Sequence, residues 1–407
     1  MSPRTPVADW SSDFDHMDPG WTLDPFPIWD DLRATCPIAR TGRFGGAYLP
    51  TTLAAVREIA YDTEHFSSRH VVIRENPPNV SLPSPPITSD APHHKPSRML
   101  LLPAFTPKAI EPMIAVTRRI ANELLDAIGP SAAGTAGTCD AAVAYAQHIP
   151  VRVIANMLGI PESEGDRFRR WIHVFIEDTI HDERDSAARL VAVSAEMDDF
   201  FRPFAEARRE KPGTDLISFL TQARFNGQPL SERHFYGTLR LLLIAGIDTT
   251  WSAIGAALWH LAKTPADRQR LVAEPALIPT AVEEFLRAYA PVTMARLVAK
   301  DVTVGGCPMK AGEHVLLAFP AANRDPQVFP DADKVVIDRQ ENRHAAFGLG
   351  IHRCIGSNLA RMEIQVAVEE WLKRFPEFSL DDSQSVHWSA GPVRGPRKLP
   401  VRIGAKA

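Results

Sequence analysis

The residue best placed by its surroundings to do chemistry is Cys354, in the run Phe-Gly-Leu-Gly-Ile-His-Arg-Cys-Ile-Gly from Phe347 to Gly356. This turn leads into a helical pattern from Asn358 to Phe375, whose first N–H groups would point back at the sulfur. A free thiol has a pKa of about 8.5 and becomes a thiolate when a metal or the positive end of a helix stabilises the charge. Cys354 is therefore either a thiolate ligand or an inert core cysteine beside a glycine turn.

A second group of polar residues interrupts the apolar stretch Leu241–Thr250. Gly246 costs about 1 kcal/mol relative to alanine inside a helix, and Asp248 and Thr249 need polar partners in such a stretch. Breaks of local rules concentrate at functional or strained sites. The alternative interpretation is a kinked helix with capped threonines.

Charged residues at helical spacing form two further groups. Glu284 and Arg287 lie three residues apart, so they share a helix face and can pair, which is worth about 0.2 to 0.5 kcal/mol if the pair is exposed. His94 and Arg98 are one helical turn apart, and Arg296 belongs to a third segment. These basic residues are either separate surface charges or a set that converges on a buried carboxylate ligand.

The elements that must position these residues are mostly helical. A helix is predicted from Ser231 to Lys263, where Pro265 stops it, and at 1.5 Å per residue it would be about 48 Å long, enough to cross the molecule. A further helix is predicted around 276–290, followed by a β-rich region over 296–317 and a C-terminal hairpin over 386–403.

Composition excludes several classes of protein. The chain has 407 residues, 45% of them hydrophobic, and a formal net charge of −4, so neither a nucleic-acid partner nor a basic surface is indicated. No apolar run approaches the ~18 to 20 residues of a membrane span, and the N-terminus lacks the pattern of a signal peptide, so a cytoplasmic protein is expected. The four cysteines are too far apart in sequence for a Cys-x-x-Cys zinc site or a secreted disulfide framework.

The cysteine run resembles the haem-binding loop of the cytochrome P450 family. Phe347, Gly350, His352, Cys354 and Gly356 match its pattern Phe-x-x-Gly-x-Arg-x-Cys-x-Gly, with histidine in place of the more frequent arginine. The stretch around Gly246 resembles the family's Ala/Gly-Gly-x-Asp/Glu-Thr signature, and the Glu-x-x-Arg pair has its counterpart too. The resemblance runs from Asp24 to Arg402 and is that of a soluble bacterial cytochrome P450.

This resemblance implies roles for individual residues. Cys354 would bind the iron of haem b (iron protoporphyrin IX), Thr249 would contact bound dioxygen, and Asp248 would lead protons towards it. Glu284 and Arg287 would form a buried structural pair, with Lys334 where the family has a third basic residue. The cofactor-binding positions implied are His94, Arg98, Ala245, Gly246, Arg296, Phe347, Gly348, His352, Cys354 and Gly356.

The resemblance also implies the fold and the domain organisation. The expected fold class is mainly α with small β-sheets, the triangular helical prism of cytochrome P450. Residues 1–407 are expected to form a single domain and a monomer, with residues 1–24 as an extended N-terminus on the surface.

The activity that the resemblance implies is that of a monooxygenase. It would activate dioxygen and hydroxylate, or oxidatively dealkylate, a hydrophobic small molecule. Because the chain has no flavin or iron–sulfur motif, electrons would come from NAD(P)H through a separate ferredoxin and ferredoxin reductase. The basic residues that could dock such a partner are Lys108, Arg118, Arg119, Arg353 and Arg361.

The substrate pocket is assigned by position in the family. The long irregular segment over 70–92 and a helix around 171–175 are expected to contribute, because an irregular segment of that length is usually functional or disordered. The pocket-lining residues predicted are Leu242, Val292, Met294 and Val393.

Two other classes of function stay open from the sequence. A peroxide-driven peroxygenase would keep the cysteine loop but usually lacks an acid and an alcohol on the long helix, against which Asp248 and Thr249 argue. A haem-thiolate sensor or ligand carrier would need neither a proton relay nor a reductase.

Overall fold

One long helix crosses the centre of the protein, and the other elements pack around it. In the computed structural model, which describes residues 5–74, 82–129, 137–181 and 185–404, this helix runs without a break from Glu232 to Lys263. Ser231 caps it, because its side chain accepts a hydrogen bond from the His234 N–H, and Pro265 follows its end. The predicted helix is confirmed to within one residue.

Helices make up most of the fold, as predicted. Short 3₁₀ and π turns connect several of them. The helices are α1 Pro19–Leu23, α2 Phe26–Thr35, α3 Leu53–Tyr61, α4 His94–Leu101, α5 Pro107–Ile110, α6 Pro112–Ile128, α7 His148–Leu158, α8 Gly165–His173, α9 Thr179–His181, α10 Ser186–Glu210, α11 Leu216–Gln222, α12 Glu232–Lys263, α13 Pro265–Ala273, α14 Ile278–Ala288, α15 Phe319–Ala322 and α16 Ser357–Arg374.

The strands form small sheets at the edges of the helical body. The largest has the order β1-β2-β10-β7-β3, and β10 pairs antiparallel with β7 so that Val315 faces Arg296. The strands are β1 Ile38–Thr41, β2 Ala47–Pro50, β3 Phe66–Ser67, β4 Gly137–Asp140, β5 Arg224–Phe225, β6 Gln228–Pro229, β7 Thr293–Val298, β8 Val302–Val304, β9 Cys307–Met309, β10 His314–Ala318, β11 Phe378–Leu380, β12 His387–Trp388, β13 Pro396–Lys398 and β14 Pro400–Ile403.

Helix α12 owes its apolar sequence to its central position. It packs against α7 and α16, and its buried residues include Leu243, Ile254 and Leu258. It has the length and composition of a membrane-spanning helix, but 67% of its most apolar window is buried inside the protein. Each Å² of apolar surface that such a helix buries stabilises the folded protein by about 25 cal/mol.

The N-terminal segment is not the surface extension that the sequence predicted. Phe14 and Trp21 are buried in a cluster with Trp29 and Leu32, and Arg43 donates hydrogen bonds to Asp13 and Asp15. The prediction was wrong because it rested on the polar and acidic residues, which here pair with Arg43, and passed over the aromatic ones between them.

The Glu284–Arg287 pair is fully buried, as the family resemblance implied. Arg287 Nε and Nη2 donate to the two oxygens of Glu284, each at 2.8 Å, and both side chains are 0% exposed. Arg287 also donates to the carbonyls of Asn323, Ala332 and Lys334. The pair therefore ties α14 to the segment that leads to the cysteine loop.

Lys334 does not supply the third basic group of this network. Its ammonium is exposed and pairs with Asp331 at 2.9 Å, and only its backbone carbonyl accepts from Arg287. Arg339, five residues later, occupies the position instead, since its Nε donates to Glu284 Oε2 at 3.0 Å. The family resemblance placed the third basic residue at Lys334, which is five residues too early in the sequence.

We expect Arg339→Ala to destabilise the protein by roughly 3 kcal/mol, because it leaves part of the charge of buried Glu284 without a partner. Lys334→Ala is the matched control and should stay within about 0.5 kcal/mol of the parent, since the side chain is exposed. Urea unfolding followed by circular dichroism measures both. Equal effects of the two substitutions would contradict the assignment of Arg339 to the network.

Candidate functional site

The cysteine loop presents its sulfur to an internal space. Cys354 is solvent-accessible but lies deep within the protein, where burial raises the pKa of its thiol. The N–H of Gly356, which precedes α16, donates towards the sulfur and, with Arg98 and Arg353, opposes this rise in pKa. The loop is closed at its base by the Cys354 N–H, which donates to the Phe347 carbonyl at 2.7 Å. This geometry suits a thiolate held for a ligand.

Two glycines of the cysteine loop adopt backbone conformations that other residues rarely adopt. Gly348 and Gly350 have φ of +71° and +65°, where a residue with a side chain is strained. A Cβ on Gly350 would also lie 2.3 Å from the carbonyl oxygen of Ala60, at the end of α3. Gly350 is therefore required by the close approach of the loop to α3.

Four basic residues meet at one place beside the loop. The rings of His94 and His352 have centroids 4.3 Å apart, and burial lowers the pKa of His352 to about 3, with Arg296, His94 and Arg98 adding to that effect. Arg296 is 4% exposed, and burial lowers its pKa to about 10. The family resemblance implied that these four residues meet, and the structure brings them together.

This basic group has little negative charge to balance it. Asp90 is the carboxylate that acts on Arg296 and His94, but its oxygens already accept from Ser67 and Ser68. Among the described residues, Arg98 makes no ion pair, and the buried Nε2 of His94 has no hydrogen-bond partner. Buried cations without counter-charges are costly, so the cluster fits an anionic ligand.

One face of α12 opens on an internal space. Ala245 is exposed although it lies in the middle of the central helix, and a Cβ on Gly246 would meet nothing within 4 Å. The hydroxyl of Thr249, one turn on, donates to the Ala245 carbonyl at 2.8 Å. These three residues form the open stripe of an otherwise buried helix.

Asp248 points away from this stripe. It is 2% exposed and accepts from Nη2 of Arg397 at 2.8 Å and 3.0 Å. Burial raises the pKa of its carboxyl, and Arg397 opposes that rise. The partner of Asp248 is therefore Arg397, a residue of β13.

Of the four predicted substrate-pocket residues, two contact each other, and the other two lie elsewhere in the fold. Val292 and Val393 form an antiparallel bridge, so the turn before β7 lies against the turn before β13. Met294 is half-buried and Leu242 is nearly buried. Part of the predicted 70–92 contribution, residues 75–81, lies outside the described residues.

Three residues that sequence reasoning missed belong to these sites. Arg397 pairs with Asp248, Arg339 with Glu284, and the Ser68 hydroxyl hydrogen-bonds Nε2 of His352 at 2.9 Å. The signal for Arg339 was a third basic residue in the segment before the cysteine loop, which the resemblance placed at Lys334. For Arg397 no local signal exists, since 149 residues separate it from Asp248.

Comparison with known proteins agrees with this geometry. The sequence profile of the family Cytochrome P450 matches residues 49–390. The chain is 38% identical to mycinamicin IV hydroxylase/epoxidase of Micromonospora griseorubida over 77% of its own length and 79% of that protein. It is 34% identical to nocardicin C N-oxygenase of Nocardia uniformis over 93% of its own length and 96% of that protein.

A solved structure shows the same fold. The cytochrome P450 PksS of the bacillaene polyketide synthase of Bacillus subtilis 168 superposes with a TM-score of 0.86 at 31% identity, covering 96% of this chain and 100% of that one. The chain belongs to the cytochrome P450 family and is an oxidoreductase of the monooxygenase type. The family implies a haem-thiolate cofactor, which the accessible cysteine and the uncompensated basic cluster fit.

We expect Arg296→Ala to weaken haem retention by about 2 kcal/mol, a factor of roughly 30, because a buried propionate would lose a charge-assisted partner. Transfer of haem to apomyoglobin measures the release. Lys300→Ala is the control, since Lys300 follows the same strand but is exposed and pairs with Glu64. Release unchanged from the parent in Arg296→Ala would show that this side chain holds no propionate.

Proposed function

We propose that this chain binds haem b through Cys354 and oxidises a hydrophobic small molecule with dioxygen and electrons from a ferredoxin and its reductase. The observation that carries the proposal is the buried basic cluster beside an accessible cysteine. Arg98, Arg296, His94 and His352 would hold the two propionates, and Cys354 would hold the iron. Fold comparison supports a single domain over the chain, which we propose acts as a cytoplasmic monomer.

Thr249 and Asp248 of α12 would deliver protons to the cofactor. Haem, when bound to a thiolate, supplies the activation of dioxygen and the insertion of one oxygen atom into a substrate bond. The Thr249 hydroxyl donates to Ala245 in this structure, which leaves its oxygen lone pairs to accept a hydrogen bond from a water molecule in the open space. Thr249 would thereby fix the last proton donor of the relay.

Asp248 would resupply this donor. Adjacent residues on a helix do not share a face, and here Asp248 is buried against β13 while Thr249 lies on the open stripe. The Asp248 carboxyl would be the outer group of the relay and the Thr249 hydroxyl the inner one, so the two would act in series. This arrangement supports a reductively driven monooxygenase over a peroxygenase, which needs no such proton supply.

The substrate would be apolar. Val292, Met294, Val393 and Leu242 offer hydrocarbon surface, and burial of such surface is the main source of affinity for small ligands. The names of the relatives concern mycinamicin IV, nocardicin C and vitamin D(3). The apolar lining fits the hydroxylation or oxidative dealkylation of a hydrophobic metabolite, and hydroxylation is the activity that two of these names state.

The electron donor would dock on a smaller basic surface than the sequence suggested. Arg361 forms a two-pronged pair with Glu283. Arg118 and Arg119 are also engaged by glutamates. Lys108 and Arg353 are exposed and make no ion pair with any described residue, so they are the cations we propose for an acidic ferredoxin.

Reconstituted turnover with ferredoxin, ferredoxin reductase and NAD(P)H tests the proposal against its two alternatives. A monooxygenase forms product only when dioxygen and the electron-transfer chain are both present. Product formed with hydrogen peroxide alone, at an equal rate, would indicate a peroxygenase. Binding of ligands without product under either condition would indicate a sensor or carrier.

In Thr249→Ala we expect NAD(P)H oxidation at a nearly normal rate, with most of the reducing equivalents recovered as hydrogen peroxide and little product. The reason is that the inner end of the proton relay is lost while electron transfer is untouched. Thr249→Ser keeps the hydroxyl and should stay coupled. Tight coupling in Thr249→Ala would assign the role to the substrate or to Thr250, and the double substitution separates those two.

Val292→Phe should change which ligands shift the Soret band, because it fills the side of the pocket at the bridge with Val393. The spectrum of the reduced carbon monoxide complex should stay unchanged, because the substitution leaves the proposed iron ligand, Cys354, in place. Val302→Phe on β8, away from this bridge, serves as the control. An identical ligand profile in Val292→Phe would remove this residue from the pocket.

A further inference from the structure

The partner of Asp248 is shared with a second carboxylate. Nη2 of Arg397 donates to Asp248, and Nε of the same guanidinium donates to Oε1 of Glu177 at 2.5 Å. Nη1 donates to the Ser252 hydroxyl at 3.0 Å, and the guanidinium lies 4.4 Å from the centre of the Trp251 ring. One cation therefore bridges α12 and the single-turn π-helix at 174–178.

Small residues bring Arg397 to this position. A Cβ on Gly395 would lie 2.3 Å from Cβ of Ser252, so the chain before β13 can touch α12 only through a glycine. Gly255, one turn along α12, gives similar room to Pro396, whose Cδ would be 3.2 Å from an added Cβ. Such close approach fixes the guanidinium relative to Asp248.

A cleft lies beside the two carboxylates that pair with this cation. It has a volume of about 300 Å³ and is lined by side chains that include Asp248, Glu177, His173 and Trp251. That volume exceeds the ~30 Å³ that one water molecule occupies by an order of magnitude. The cleft therefore has room for several water molecules beside Asp248 and Glu177.

Exposure increases in steps along the cleft. The side chain of Asp248 is 2% exposed, that of Glu177 19% and that of His173 56%. His173 Nδ1 lies 3.1 Å from Oε2 of Glu177, and its Nε2 lies 3.0 Å from Asp178. A chain of titratable groups thus runs from solvent to Asp248, with Arg397 between the two carboxylates.

The charges of this chain suit the movement of one proton. Two carboxylates face a single guanidinium, so the group carries an excess negative charge that one proton neutralises. Arg397 cannot release its own proton and instead stabilises whichever carboxylate is ionised. Burial raises the pKa of Asp248, with Glu177 adding to the rise, while Arg397 and His173 oppose it.

We propose that protons reach Asp248 through this cleft by way of His173 and Glu177, and that Arg397 is the positioning residue that holds Asp248 ionised and aimed at the cleft. The proton moves from solvent to the His173 imidazole, then to the Glu177 carboxylate, then through water in the cleft to Asp248, and no electrons are transferred. The inference rests on the proposed function, in which Asp248 supplies Thr249.

The first test measures the protonation of Asp248 in the purified haem-loaded protein without substrate. The infrared C=O stretch of a protonated carboxyl, assigned by its loss in an added Asp248→Asn, should appear at neutral pH in Arg397→Met. It should be absent from the parent and from Arg397→Lys, which keeps a cation. The same band in the parent, or no band in Arg397→Met with its haem retained, would overturn the role of Arg397.

The second test separates Glu177 from its neighbour. Glu177→Gln should slow turnover several-fold and raise the solvent hydrogen isotope effect on product formation, because the outer proton holder is lost. Asp178→Asn is the matched control, since Asp178 also contacts His173 but not Arg397, and it should leave both quantities unchanged. Equal behaviour of the two variants would overturn the proposed path.

These outcomes are distinguishable from failure of the proposed function. If Thr249→Ala and Asp248→Asn alter coupling or turnover while Glu177→Gln behaves like Asp178→Asn, protons reach Asp248 by another path and this inference alone fails. If neither Thr249→Ala nor Asp248→Asn has an effect, the proton relay itself is wrong.

Discussion

The structure depends on a buried cluster of basic side chains, which lies beside Cys354. Arg296 is buried, and burial, with Arg296, His94 and Arg98 adding to it, lowers the pKa of His352 well below its usual range, so without an anion the protein bears a local electrostatic cost. The residues come from α4, β7 and the cysteine loop, which are far apart in sequence. An anionic ligand that pairs with them joins these segments, so its binding free energy also stabilises the fold.

The rest of the fold holds this arrangement in place from two sides. Helix α12 crosses the core and presents Ala245, Gly246 and Thr249 to the open space. On the other side, buried Glu284 and Arg287 tie α14 to the segment before the cysteine loop. The Glu284–Arg287 pair places charged groups where burial penalises them and satisfies them with several hydrogen bonds, as a rigid site requires.

Sequence reasoning could predict what depends on local pattern or on the family's spacing. The bounds of α12, the pairing of Glu284 with Arg287 and the convergence of His94 with Arg296 follow from periodicity or from motif resemblance. A local pattern carries no information on partners from remote segments.

Those remote partners account for the differences between prediction and structure. Arg397 reaches Asp248 across 149 residues, and Gly350 is required by the carbonyl of Ala60, a contact that no spacing within the cysteine loop encodes. The buried N-terminal aromatic residues were misjudged for the same reason, since their cluster also includes Ala295, Leu316 and Ala318 from remote strands.

The most direct test of the account is the absorption spectrum of the reduced carbon monoxide complex of the purified protein and of Cys354→Ser. A thiolate opposite carbon monoxide shifts the Soret band strongly to the red, because the axial ligand sets the electronic properties of haem. We expect this band in the parent and its loss in Cys354→Ser. A red-shifted band that persists in Cys354→Ser would mean that another sulfur binds the iron, which would contradict the central assignment.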